Sequence, residues 1–512
     1  MTKSLPSLRI HQTRHPLLYE VNTRVLLTEL SRSAGSRVTL GTIPDRLLDD
    51  WASLGFDAIW LMGVWKTGRI GLEIATTHSD LAAEYRKVLP DFTTADVGGS
   101  PYSISAYEVS TELGGEKELA RLRKRLAERG LGLVLDFVCN HTARDHAWTK
   151  EHPEYYIQGS PELLEQEPWA WFEVSTKKGK AVLALGRDPM FPPWTDTAQI
   201  NHMHAGAREA LVSVLRQIAG LCDGVRCDMA MLMLRGVFLV TWDKKVMSEE
   251  GGVLQTEFWG DAITNVRKSR PDFLFVAEAY WDLEWALQQL GFDYTYDKRL
   301  YDRLRYEGAV SVRNHLKAEM TFQTHSLRFI ENHDEPRAAM AFSSEAWHSA
   351  AAVVTLTVPG MAMLHDGQMD GRAVKVPVQL SRRPQEAVSE QIRRFYRRLL
   401  VCLGDASFRQ GDWRMLSVRP AWHDNPTWEN YLAYCWQRGD VCERIVVVNY
   451  APHSGQCYID LPMAEVDGPA LEFRDLMSDA AYVRERSSLE SKGMYFDLPG
   501  YGFHIFALSS AR

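Results

Sequence analysis

The sequence predicts a closed (β/α)8 barrel with a short excursion after its third strand and a carboxy-terminal antiparallel β-sandwich. Strand-like apolar runs alternate with amphipathic helices from about residue 17 to residue 403. The alternation runs to eight strands. Beyond about Gly411 the helices stop and only strand-like runs follow. Strands alternating with helices build a parallel sheet with its helices outside, and eight rounds close it. An open doubly wound sheet is the alternative, disfavoured because no glycine-rich phosphate loop follows the first strand.

Residues 17–27 form a β-rich run, with Tyr19, Val21 and Val25 expected to point inward. Residues 44–54 read as an amphipathic helix stopped by Gly55, and 56–62 as a buried strand. The pattern repeats with helix 116–129, which ends at Gly130, and strand 131–138. The chain then departs over 139–204, a loop-like stretch holding Trp148, Trp169, Trp171 and Trp194. A loop of that length is functional or a small domain of its own. Helix 207–219 and strand 224–228 resume the alternation. The remaining helix–strand pairs are 261–269 with 273–278, 283–290 with a weak strand at 292–296, 312–320 with 326–331, and 346–358 with 361–364. Helix 388–403 closes the set. The barrel is thus expected over 1–138 and 205–405, the excursion over 139–204, and the sandwich over 410–512.

Bulk properties narrow the function classes. A net charge of −8 gives no overall attraction to nucleic acid or to an anionic membrane. No run approaches the 18–20 apolar residues of a membrane span. The stretch Met1-Thr2-Lys3-Ser4-Leu5-Pro6 lacks the apolar core of an export signal. Seven cysteines, an odd number without metal-type spacing, read as reduced thiols of a cytoplasmic protein. The 16 tryptophans suit stacking on sugars or bases, and equally suit large cores.

Charge collects where a barrel keeps its active site, at the carboxyl ends of the strands. Asp136 with Asn140-His141, Arg226 with Asp228, Glu278, and Asn332-His333-Asp334 end the third, fourth, fifth and seventh strands. Folding alone gives no reason to gather like charges at one end of an apolar barrel, where their repulsion raises one or more pKa values. Three carboxylates around one pocket fit retaining glycoside hydrolysis. That chemistry sets nucleophile and acid about 5–5.5 Å apart, and neighbouring strands lie about 4.8 Å apart. Asp228, held ionised by Arg226 on the same strand face, then serves as nucleophile. Glu278 serves as acid/base, and Asp334 reaches across as the third carboxylate.

The segments Asp136-Phe137-Val138-Cys139-Asn140-His141, Gly224-Val225-Arg226-Cys227-Asp228, Ala277-Glu278-Ala279-Tyr280 and Glu331-Asn332-His333-Asp334 occur in the order and at the spacing of the α-amylase family, glycoside hydrolase family 13, which the chain resembles. The resemblance implies the same three catalytic roles, with Asp334 as transition-state stabiliser. It implies that Arg226, His141 and His333 contact the sugar before the scissile bond and that Asp136 supports them. Tyr102 resembles the tyrosine that stacks on that sugar. Residues 139–204 correspond to the family's excursion domain.

Departures qualify the expectation. Many relatives carry a Lys-His pair after the nucleophile, where this chain has Met231 and Leu232, so the acceptor side is expected to be apolar or built from other loops. In 194–201 Gln199 stands where relatives place an aspartate, which removes a calcium ligand; no cofactor and no tightly bound calcium are expected. Three functions follow for comparison: a hydrolase of maltooligosaccharides or related soluble α-glucosides, a transglycosylase, trehalose-forming isomerase or sugar phosphorylase using the same intermediate, and a non-catalytic carbohydrate-binding relative. The last is disfavoured because all three carboxylates are present.

Overall fold

The structure, a computed structural model, describes residues 8–242, 256–462 and 468–511. The stretch read above for an export signal lies outside the described residues. Eight parallel strands close into a barrel: β1 Leu17–Asn22, β2 Ala58–Met62, β3 Gly132–Val138, β4 Gly224–Asp228, β5 Leu274–Ala277, β6 Tyr294–Tyr296, β7 Ser326–Arg328 and β8 Met361–His365. They stand in chain order around the barrel, and β8 pairs back onto β1 with Leu17 opposite Ala362. β2, β3, β4, β5 and β8 are buried along their whole length, as strands covered on both faces must be.

The first strand is shorter than its composition suggests. It stops at Asn22, whose side chain accepts the Val25 N–H at 3.2 Å and caps helix Thr23–Ala34. Val25 therefore packs from a helix, because a capping asparagine outweighs the β-propensity of the residues after it. Between β2 and β3 lie two helices, Arg69–Thr77 and Ser79–Val88, and a strand pair, Trp65–Thr67 with Ile104–Val109, that hydrophobic periodicity did not single out.

The excursion is structured rather than loop-like. His141–Ala143 pairs with Thr197–Gln199, and Gln158–Gly159, Gly179–Ala184 and Trp171–Thr176 form a three-stranded sheet. The carboxy-terminal region packs a six-stranded against a three-stranded antiparallel sheet, with one short helix, Arg486–Lys492. Its inner residues, among them Tyr431, Ile445 and Phe473, form a core of their own. It meets the barrel through Trp436 Nε1, which donates to the Thr357 carbonyl at 2.7 Å. No helix among the described residues is long and apolar enough to cross a membrane.

Candidate active site

Strand register brings the polar residues to one level. On β3 and β4, Asp136 lies directly opposite Arg226. On β4 and β5, Cys227 lies opposite Ala277, so Asp228 and Glu278 leave adjacent strands side by side. Main-chain bonds lock the two ends together: the Glu278 N–H donates to the Cys227 carbonyl at 3.0 Å, and the Ala230 N–H to the Glu278 carbonyl at 3.1 Å. Gly63 carries the chain past Asp136 in a left-handed turn (φ 80°), and its N–H reaches Asp136 Oδ2 at 3.3 Å. A Cβ there would lie 2.9 Å from Pro101, so the approach requires glycine.

Arg226 is the hub. Its fully buried guanidinium holds Asp228 Oδ1 at 2.6 Å, Glu278 Oε2 at 2.9 Å and Asp136 Oδ1 at 3.8 Å. Trp60, Tyr102 and Tyr296 wall it in, with ring centroids 5.2, 5.4 and 5.7 Å from Cζ. One cation cannot balance three buried carboxyl groups, so the proton affinities part. Burial pushes Glu278 up to about 7, against the pull of Arg226 and with the help of Asp228 and Asp334. Burial likewise lifts Asp136 to about 6, with Arg226 opposing. Glu278 also accepts the Met229 N–H at 2.6 Å and the Tyr280 hydroxyl at 2.9 Å, which fix its orientation.

His333 organises the opposite wall. Its Nδ1 meets Glu20 Oε1 at 2.5 Å, and its Nε2 lies 2.7 Å from Tyr102 Oη and 3.0 Å from Asp334 Oδ2. Burial alone would lower the imidazole, but the carboxylates of Asp334 and Glu20 override it and raise His333 to about 10. In return, the His333 cation holds the carboxyl of Asp334, a side chain about half exposed, below the usual range. The Tyr102 ring stacks on His333, with centroids 5.4 Å apart. His141 enters from the excursion beside Trp194, and burial lowers its pKa.

Next to His141, the donor set does not fit a cation. Gln199 Nε2 donates to the Asn140 carbonyl at 3.0 Å, to Asn140 Oδ1 at 2.9 Å and to the Ile200 carbonyl at 3.1 Å. The two main-chain oxygens require a donor and so fix the orientation of the amide. Three oxygens that could have faced a metal thus converge on an amide nitrogen.

Two cavities meet at the carboxylates. The smaller, about 250 Å³, is lined by Tyr102, His141 and Asp228; the larger, about 580 Å³, by Phe191, Tyr280, Trp281 and Glu284. Trp194, Met229, Glu278 and Asp334 line both. Met231 and Leu232 line neither and are buried, so the run after Asp228 is core packing apart from Met229. All eight residues singled out in the sequence therefore converge on one site. Glu20, Trp60 and Tyr296 join it unannounced, and Tyr280, part of the Ala277–Tyr280 segment but given no role there, holds Glu278. A glutamate inside the buried strand Leu17–Asn22 was the signal that could have found Glu20.

The fold and site together are those of a closed (β/α)8 barrel whose mouth holds an arginine-centred carboxylate cluster. Comparison with known sequences then supplies the family: the profile of the α-amylase catalytic domain matches residues 39–398, and the chain belongs to that family. It is 26% identical over 367 residues to α-amylase MalA of Haloarcula japonica, an alignment spanning 70% of this chain and 44% of MalA. Over 147 residues (26% of this chain, 20% of the relative) it is 31% identical to the α-1,4-glucan:maltose-1-phosphate maltosyltransferase of Pseudomonas aeruginosa. Among solved structures, the maltogenic α-amylase AmyB of Thermotoga neapolitana has the same fold, with a TM-score of 0.65 at 19% identity over 96% of this chain and 98% of AmyB.

Proposed function

We propose that the protein cleaves α-glucosidic bonds of maltooligosaccharides or related soluble α-glucosides with retention of configuration, through a covalent glycosyl-aspartate. One observation carries the reading: a single guanidinium bridges Asp228 at 2.6 Å and Glu278 at 2.9 Å, while burial gives Glu278 a pKa of about 7. Asp228 attacks the anomeric carbon, and Glu278 gives its proton to the departing glycosidic oxygen. Glu278 then takes a proton from the incoming water or sugar hydroxyl, which releases the glycosyl group from Asp228. Asp334 sets negative charge beside the oxocarbenium-like transition state, and Tyr102 gives the sugar an apolar face. His141 and His333 hold its hydroxyls; Arg226, expected from the sequence to contact the sugar, is fully buried and instead holds Asp228 and Glu278 in place, supported by Asp136.

Transfer to a second sugar uses the same intermediate, and the likeness to a maltosyltransferase keeps that reading beside hydrolysis. The amide of Gln199, in a cation's place, supports a protein that works without tightly bound calcium. Seven buried, unpaired thiols favour a reducing, cytoplasmic setting. Incubation with maltooligosaccharides, with and without phosphate, tests the activity. The α-anomer of a shorter sugar as first product, seen by proton NMR, supports the proposal. A β-anomeric first product, or a sugar phosphate alone, rules it out.

A further inference from the structure

The larger cavity is lined by Glu278 and Tyr280 but not by Asp228, so in the proposed reaction it is assigned to the leaving sugar or the acceptor. Trp281, Phe191 and Tyr280 give it aromatic walls. Trp281 and Asp282 both adopt left-handed backbone (φ 65° and 61°), an unfavourable pair for residues with side chains. Arg299 holds that turn, with Nε 2.5 Å from Asp282 Oδ1 and Nη2 on Oδ2. Six carboxyl side chains line the cavity against two cations, Lys298 and Arg299. Both cations are engaged: Arg299 by Asp282, and Lys298 by Asp302 at 2.5 Å and Glu335 at 3.3 Å. Among the described residues, the cavity wall thus offers no uncommitted cation to a phosphate.

Glu284 is the anomaly in this wall. It opens the helix Glu284–Gln289, lines the cavity and is only 5% exposed, yet its Oε1 has no hydrogen-bond partner. Oε1 itself is sealed from solvent, so it is the other carboxyl oxygen of Glu284 that can meet a hydroxyl-bearing ligand in the cavity. Burial, reinforced by Asp297 and Asp282, lifts the group to about 7, so near neutrality it can both donate and accept.

We propose that Glu284 is a specificity-determining residue that hydrogen-bonds a hydroxyl of the sugar on the leaving and acceptor side, and that its cavity selects neutral sugars over phosphate. The inference rests on the activity proposed above. Maltotriose and 4-nitrophenyl α-maltoside share a donor and differ in what leaves, a glucose or an aryl group without sugar hydroxyls. Glu284→Ala should lower kcat/KM for maltotriose about 10-fold and Glu284→Gln less. Both variants should stay within about 2-fold of wild type on the aryl maltoside. With the aryl maltoside as donor, glucose should give a transfer product and inorganic phosphate no sugar phosphate. Equal losses on both substrates mean a structural role and overturn the proposal, as does an undiminished rate on maltotriose; sugar phosphate overturns the selection of neutral acceptors. If the wild-type protein cleaves neither substrate, the activity fails separately. Maltotriose binding, followed by tryptophan fluorescence, then decides: about 10-fold weakening in Glu284→Ala upholds recognition by Glu284, and unchanged binding overturns it.

Discussion

The two cavities that meet at Glu278 and Asp334 are built on different principles. The smaller centres on strand ends, Asp228 on β4 and Glu278 just past β5, with Tyr102 and Trp194 reaching in from loops. Asp228, Glu278 and His333 are buried and paired there, while Asp334 is about half exposed. The larger is made of loop and short-helix residues: Phe191, Trp281, Glu284 and Arg299, with aromatic faces partly open to solvent. On the proposed mechanism, one scaffold holds the reacting carbon with little freedom while its loops choose what leaves and what attacks. In barrels, chemistry resides at strand ends and selectivity in loops.

Substitutions on the strand ends should affect every substrate, and the largest effect should come from the nucleophile. Asp228→Asn is expected to lower kcat by about 10⁴-fold or more on aryl and sugar substrates alike, while circular dichroism stays native. Glu278→Gln should slow cleavage of maltotriose by about 10²–10⁴-fold. It should also stabilise the protein at alkaline pH. A carboxyl raised from its ordinary 4.5 to about 7 contributes a stability that is complete below pH 4.5 and lost as pH rises through 7. Denaturant unfolding at pH 8 should therefore show the variant more stable, by up to about 3 kcal/mol.

Smaller effects sharpen the contrast. Glu20→Gln removes one of the two carboxylates that raise His333, and kcat/KM should fall about 10-fold on both kinds of substrate, unlike Glu284→Ala. The basic limb of kcat/KM in wild type should lie near pH 7, where Glu278 loses its proton. Tyr280→Phe removes a hydroxyl that favours the carboxylate, so that limb should move up by up to about one pH unit. Dialysis against EDTA should change neither activity nor melting temperature, because the Gln199 amide already satisfies the oxygens beside His141.

The same division explains what could be read in the sequence. Strand ends were legible because a charged residue closing an apolar run is conspicuous: Arg226 and Asp228, Glu278 and Asp136 all declare themselves so. The barrel itself followed from eight apolar runs. The end of β1 did not, because the cap formed by Asn22 is a single-residue signal within a β-branched stretch. Glu20 was passed over inside that run. The larger cavity was hidden for another reason. Trp281 and Asp282 owe their positions to a left-handed turn, and Arg299, far along the chain, holds it. Nothing periodic marks such a turn. Met231 and Leu232, expected to make an apolar acceptor side, are instead buried core, and of the run Met229 to Met233 only Met229 reaches the cleft.

The central claim is that Asp228 becomes covalently glycosylated while Glu278 handles the proton. A ring-fluorinated α-glucosyl fluoride, which forms the intermediate faster than it releases it, tests this directly by mass spectrometry of the digested protein. The account predicts one glycosyl adduct per chain, on the peptide containing Asp228, and none in Asp228→Asn. An adduct on Glu278 or Asp334, or turnover of the fluoride without any adduct and with inverted product, would contradict it.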